Sequence, residues 1–140
     1  MPSARAKITK AHYETLAAFR QALRRFLHFS HEAATAAGVP PQQHQALLAL
    51  KGFPGREHAS IGELAERLHL RHHSAVGLVD RLARRGWVRR TPAREDRRRV
   101  EVRLTASGEA LVARLSAAHL RELRQLGPEL RRLLEFVERS

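Results

Sequence analysis

His72, His73 and Ser74 open a run in which Gly77, Arg81 and Arg84 follow at steps of three or four, a spacing that puts them on one face of an α-helix. Imidazole, hydroxyl and guanidinium groups on such a face can donate to base edges and phosphate oxygens, and the helix N-terminus itself favours an anion. Gly77 offers no side chain, so a base opposite it is read by close approach or not at all. Arg81 is expected to contribute to base preference. A second cluster, Arg94, Asp96, Arg97, Arg98 and Arg99, lies in a polar, non-periodic stretch. A carboxylate adds nothing to a phosphate-binding loop unless it orients a guanidinium through a bidentate pair, so Asp96 is expected to brace Arg98 for insertion into a minor groove.

The charge distribution sharpens this. The chain of 140 residues carries 26 Lys and Arg against 14 Asp and Glu, a formal net charge of +12, and all but three of the basic residues are arginine. A GC-rich coding bias would spread arginine evenly. Instead residues 70–103 hold eleven basic and four acidic side chains, while residues 1–69 hold nine and five and residues 104–140 hold six and five. The positive charge sits on the helix and loop that carry the candidate side chains, which points to a polyanion as partner.

Other chemistries are excluded or weakly supported. There is no cysteine, which removes disulfides, thiolate nucleophiles and cysteine-ligated metal. Nucleophile-elbow, dinucleotide-binding, phosphate-loop and His-Glu-x-x-His motifs are absent, so no enzyme is expected. The nine histidines include His28 and His31 at helical spacing, with His12 and His44 as possible neighbours, and a second group at His69, His72 and His73. Neither group has the spacing of a zinc site, and no metal or cofactor is expected. No apolar run approaches the ~20 residues that cross a bilayer, and no signal-peptide pattern opens the chain, so a cytoplasmic protein without membrane association is expected.

These side chains need a scaffold, and the hydrophobic periodicity describes one. Leu16, Phe19, Leu23, Phe26 and Leu27 predict a long helix from about Ala11 to Ala37, capped by Gly38. A short helix follows Pro40-Pro41 to Leu50. Ser60-Ile61-Gly62-Glu63 is a capping box opening a helix that stops near His69-Leu70. After a turn of about four residues a second helix spans His73 to Arg85, with Val76, Val79, Leu82 and Ala83 inward and Gly86 closing it. Two short helices joined by a tight turn form a helix-turn-helix. Trp87-Val88 and the alternating Val100, Val102 and Leu104 then predict a β-hairpin with a basic tip. Thr105 caps a helix to about Leu126, which Gly127-Pro128 ends, and a last helix spans Glu129 to Glu138.

The stretches LAERLHLRHHSAVGLVDRLARRGWVRR (64–90) and EDRRRVEVRLTASGEAL (95–111) resemble the MarR family of bacterial winged helix-turn-helix transcriptional regulators, with the family's wing and helix marks standing as Asp96-Arg97-Arg98 and Leu104-Thr105. The resemblance implies one mainly α domain over residues 1–140 with a small β-hairpin wing: a winged helix-turn-helix lobe at about 40–105, flanked by dimerisation helices at about 8–37 and 106–139. It further implies a homodimer on the double-stranded DNA of a palindromic operator, most often as a repressor relieved by a small-molecule effector. Thiol-based sensing is excluded by the missing cysteine. An effector crevice is placed, as an expectation, around His12, His28, Phe29 and His44. The rival readings are an architectural DNA binder without an effector and, behind it, a metal-responsive regulator.

Overall fold

The computed structural model describes residues 7–96 and 98–140. Its elements run α1 (Lys10–Ala36), α2 (Pro41–Lys51), β1 (His58–Ser60), α3 (Ile61–Leu68), α4 (His72–Arg84), β2 (Val88–Pro92), β3 (Val100–Leu104) and α5 (Ala106–Arg139). They form two compact units, one holding the chain up to Glu32 together with Ala118–Ser140, the other Ala33–Ala117.

The second unit carries the main apolar core. Leu47 and Leu50 of α2, Leu64 of α3, Leu78, Val79 and Leu82 of α4 and Val102 of β3 are almost wholly buried together, with Leu111, Val112 and Leu115 of α5 packed against them. The sheet is antiparallel in the order β1-β3-β2, and Val102 faces Ala59 on one side and Arg90 on the other. Strand β1 was not expected. Three residues are too few for alternation to show, and its pairing comes from β3, more than forty residues away.

Local signals place the joints. Gly38 and Gly86 both have φ near +75°, the left-handed conformation that an L side chain disfavours, and each ends a helix. Ser60 Oγ accepts the Glu63 N–H (3.1 Å) while the Glu63 carboxylate accepts the Ser60 N–H (3.0 Å), which closes the expected capping box. The second unit is further tied by Lys51, whose ammonium donates to Glu57 (2.8 Å) and reaches Glu109 (3.4 Å). The Glu57 contact leads in raising the Lys51 pKa and lowering that of Glu57.

One expectation is overturned. Gly127-Pro128 does not end a helix: α5 is continuous from Ala106 to Arg139, with Pro128 inside it. Proline crowds the Cβ and N–H of the residue before it, and here that residue is glycine, which has no Cβ.

In the first unit His119 Nε2 lies 2.7 Å from Ser30 Oγ, with the rings of Phe26 and Phe29 meeting the His119 ring edge-on. Arg25 pairs with Glu129 at 2.7 Å. Yet Leu16, Leu23 and Leu27 of α1 and Leu120, Leu123 and Leu134 of α5 remain exposed. The periodic leucines of the long helices are thus only partly used within one chain.

Candidate nucleic-acid interface

Helix α4 buries Ala75, Leu78, Val79 and Leu82 and turns its other face outward. His72, His73, Arg81 and Arg84 are exposed, and Ser74 and Gly77 are half-buried. Val76, expected to point inward, is also only half-buried, because the inward stripe is centred on Ala75, Leu78 and Leu82. Arg71 is the N-cap residue; its side chain makes no capping bond, and the first turn contains no acidic residue. The leading N–H groups and the positive end of the helix dipole are left facing outward beside Arg71, His72 and His73. Arg71 was missed in the sequence because the helix was expected to start one residue later.

The turn before α4 depends on His69, a non-glycine residue at φ +54°. The Leu70 N–H reaches back to the Ala65 carbonyl (2.8 Å), a six-to-one bond that closes α3 and swings the chain into α4.

At the wing tip Arg94, Asp96, Arg98 and Arg99 are exposed, and Arg97 lies outside the described residues. Asp96 Oδ1 accepts the backbone N–H of Arg98 (2.9 Å), the Asp96 carbonyl accepts the N–H of Arg99 (3.0 Å), and the Arg99 carbonyl accepts the N–H of Ala93 (2.9 Å). The expected role of Asp96 is therefore revised. Its carboxylate holds the backbone of Arg98 in a side-chain-closed turn and shapes the tip, rather than clamping the guanidinium. Sequence spacing could not separate these two bonds, since both need an aspartate two residues before the arginine.

Arg90 of β2 is ion-paired with Asp80 of α4, which joins the wing to the exposed helix inside one unit. Arg89, exposed on the same strand, was not singled out in the sequence. Arg85 lies over the Trp87 ring at 4.2 Å and donates to the Gly38 carbonyl at 2.9 Å. Glu63 is held below the usual carboxylate range, chiefly by the Ser60 N–H and then by Arg56.

Within the first unit the residues expected around an effector crevice are spread along α1. His12 and His28 stand sixteen positions apart on the continuous helix α1, roughly 24 Å along its axis. His12 Nδ1 accepts the Thr9 N–H, and its ring meets Phe136; His28 pairs with Glu32; Phe29 packs on His119. His44 is buried on α2, in the other unit. Among the described residues no three His, Asp or Glu side chains are grouped to hold a metal ion, and no helix is long and apolar enough to cross a membrane.

A sequence model described as the MarR family matches residues 37–99, which contain α2 to α4, β1, β2 and most of the wing. Over this segment the chain is similar to the MarR family. Among curated relatives, the HTH-type transcriptional regulator PecS of Dickeya dadantii is 34% identical over 67 residues, 48% of this chain and 40% of that protein. The chain spans about half the length, or less, of the curated relatives it matches. Among solved structures, Sco3205 of Streptomyces coelicolor, a MarR family regulator in complex with DNA, superposes with a TM-score of 0.69 at 23% identity, covering 98% of this chain and 89% of that one. BpsR of Bordetella bronchiseptica, whose DNA binding is regulated by 6-hydroxynicotinic acid, superposes with a TM-score of 0.64 at 20% identity, covering 99% and 96%. These likenesses show that the MarR winged-helix fold extends through both long helices.

Proposed function

We propose that this chain is a sequence-specific double-stranded DNA-binding transcriptional regulator. The observation that carries it is the exposed cationic face of α4 joined by the Asp80–Arg90 pair to a basic wing. The helix enters a major groove with Arg71, His72, His73 and Ser74 leading, and the wing follows the backbone toward the adjacent minor groove. The complex of Sco3205 with DNA supports this use of the fold.

Exposed leucines on α1 and α5 support a homodimer, because pairing these surfaces removes them from water. Two recognition helices related by a two-fold axis read a palindromic operator with half-sites about one helical turn apart. A dimer seated across successive grooves blocks access to the DNA beneath it, which supports repression as the sign of regulation. The regulation of BpsR by a small aromatic acid supports relief by an effector of this kind.

The test is a selection from random duplexes followed by salt titration. The selected site should be preferred over bulk DNA by ~10³ or more, and log affinity should fall with log salt at about −0.9 per phosphate contact. Arg98→Ala should lower that slope by about one. A preference near unity would assign an architectural DNA binder instead. Wild-type affinity for Arg98→Ala at about 150 mM salt would remove the wing from the interface.

A further inference from the structure

Thr9 and His12 close a capping box at the start of α1 whose chemistry differs from that of Ser60 and Glu63. Thr9 Oγ1 accepts the His12 N–H (3.2 Å), and His12 Nδ1 accepts the Thr9 N–H (3.0 Å). The Tyr13 N–H bonds the Thr9 carbonyl (3.2 Å), which begins the helical ladder. In the common form of this box a glutamate or glutamine supplies the returning acceptor, and neither changes charge near neutral pH. Here an imidazole takes that place, and imidazole is the side chain whose charge changes between about pH 5 and 8.

The bonding fixes the state of the ring. A backbone N–H can only donate, so Nδ1 carries no proton and the ring hydrogen sits on Nε2. When the ring takes a second proton, Nδ1 becomes a donor. It can still reach Thr9 Oγ1 at 3.0 Å, but the Thr9 N–H then faces another N–H and loses its acceptor. The new charge also stands at the positive end of the helix dipole.

No carboxylate offsets that charge. The first turn of α1 has no acidic residue, and among the described residues His12 has no ion-pair partner. Lys10 and Glu14 stand two positions away, round the helix from it. From α5 the Phe136 ring meets His12 with centroids 5.6 Å apart. The charged residues one turn from Phe136 are Arg132 and Arg139, the latter paired with Glu135 at 3.2 Å.

We infer that the Thr9–His12 box is an acid-sensitive clasp. It holds the first turn of α1 against the end of α5 while His12 is neutral and releases it when His12 is protonated. Ile8, Tyr13 and Leu16 stand exposed around the box, on the apolar surface assigned above to a homodimer. Resting on that reading, release weakens the dimer in acid.

The test follows amide exchange of Thr9, His12 and Tyr13 in the full chain by NMR, relative to intrinsic rates, at about pH 7.5 and about pH 5.5, with sedimentation at both. His12→Gln keeps a side chain that can return to the Thr9 N–H without titrating, which separates this imidazole from the rest of the nine histidines. Wild type should lose about fivefold in protection on acidification, the size of a lost cap, while His12→Gln stays protected at both pH values and His12→Ala at neither. Wild-type protection that survives acid, or an equal loss in His12→Gln, overturns the clasp. The wild-type dimer should loosen by a similar factor in acid and the His12→Gln dimer should not. A wild-type dimer equally tight at both pH values overturns the link to assembly. A chain monomeric at both would sink the homodimer reading alone, because amide exchange still decides the clasp.

Discussion

Asp80 on α4 and Arg90 on β2 form an ion pair that spans the recognition helix and the wing, with side chains 37% and 41% exposed. At that exposure the pair contributes little to stability, ~0.5 kcal/mol, and salt weakens it. Its consequence is orientation, since the two elements proposed to face DNA are tied to each other by this pair. A double-mutant cycle with Asp80→Ala and Arg90→Ala in urea unfolding should show a coupling of about 0.5 kcal/mol at low salt that shrinks in high salt. Strict additivity of the two single variants would mean that the helix and wing are positioned independently.

A Cβ on Gly108 would stand 2.1 Å from the Trp87 carbonyl oxygen. Thr105 Oγ1 bonds both the Gly86 carbonyl (2.6 Å) and the Gly108 N–H (3.1 Å), drawing the first turn of α5 onto the chain just before β2. Because the obstacle is backbone, no rotamer change relieves it. Gly108→Ala should therefore cost about 1–3 kcal/mol despite the ~1 kcal/mol advantage of alanine in a helix. Gly62→Ala, whose new methyl meets only Ser60 Oγ at 3.9 Å, should be neutral or stabilising. Thermal unfolding of both variants checks this, and an undiminished Tm for Gly108→Ala would contradict the close contact.

The parts legible in the sequence were those encoded by neighbouring residues. The Ser60–Glu63 box, the Gly38 and Gly86 stops, the Thr105 cap and the outward run of His73, Gly77, Arg81 and Arg84 each need only a few consecutive positions. What escaped depends on distant partners or on competing local rules. Strand β1 exists because β3 pairs with it. Helix α5 passes through Pro128 because Gly127 removes one clash, a balance that a rule reading both residues as breakers cannot express. The tie between Asp80 and Arg90 and the approach of Gln43 to the α4 arginines are tertiary, and a residue-type reading places both only as solvated surface.

Gly77 lies in the middle of α4, where glycine is a poor helix former, and the Arg81 guanidinium folds back beside it. Gly77→Ala should stabilise the helix by about 0.5–1 kcal/mol, since the 3.4 Å neighbour is the end of a flexible side chain that can give way. The same methyl projects from the proposed recognition face beside the Arg81 guanidinium and holds off whatever approaches there, so duplex affinity should fall. Paired measurements of Tm and duplex Kd test the trade. A variant that is both more stable and equally tight on DNA would show that glycine at this position does not serve close approach.

The acid limb of stability follows from Glu63 and Glu57. Both carboxyls are held below their ordinary value of 4.5, Glu63 chiefly by the Ser60 N–H and then Arg56, Glu57 by Lys51. A group whose folded pKa is depressed contributes stability above its unfolded pKa and loses it as pH falls through the folded value, so this contribution disappears below about pH 4.5. Lys51 works at the other end. Its pKa is raised above 10.5, so its contribution holds below that value and is lost as pH rises beyond it. Glu63→Gln keeps a side chain that can still complete the capping box but cannot ionise. Urea unfolding across the acid range should therefore show a shallower acid-side decline in Glu63→Gln than in wild type, the two proteins converging as pH falls through the lowered folded pKa of Glu63. An equally steep decline in both proteins would show that the Ser60 and Arg56 contacts do not favour the ionised carboxylate.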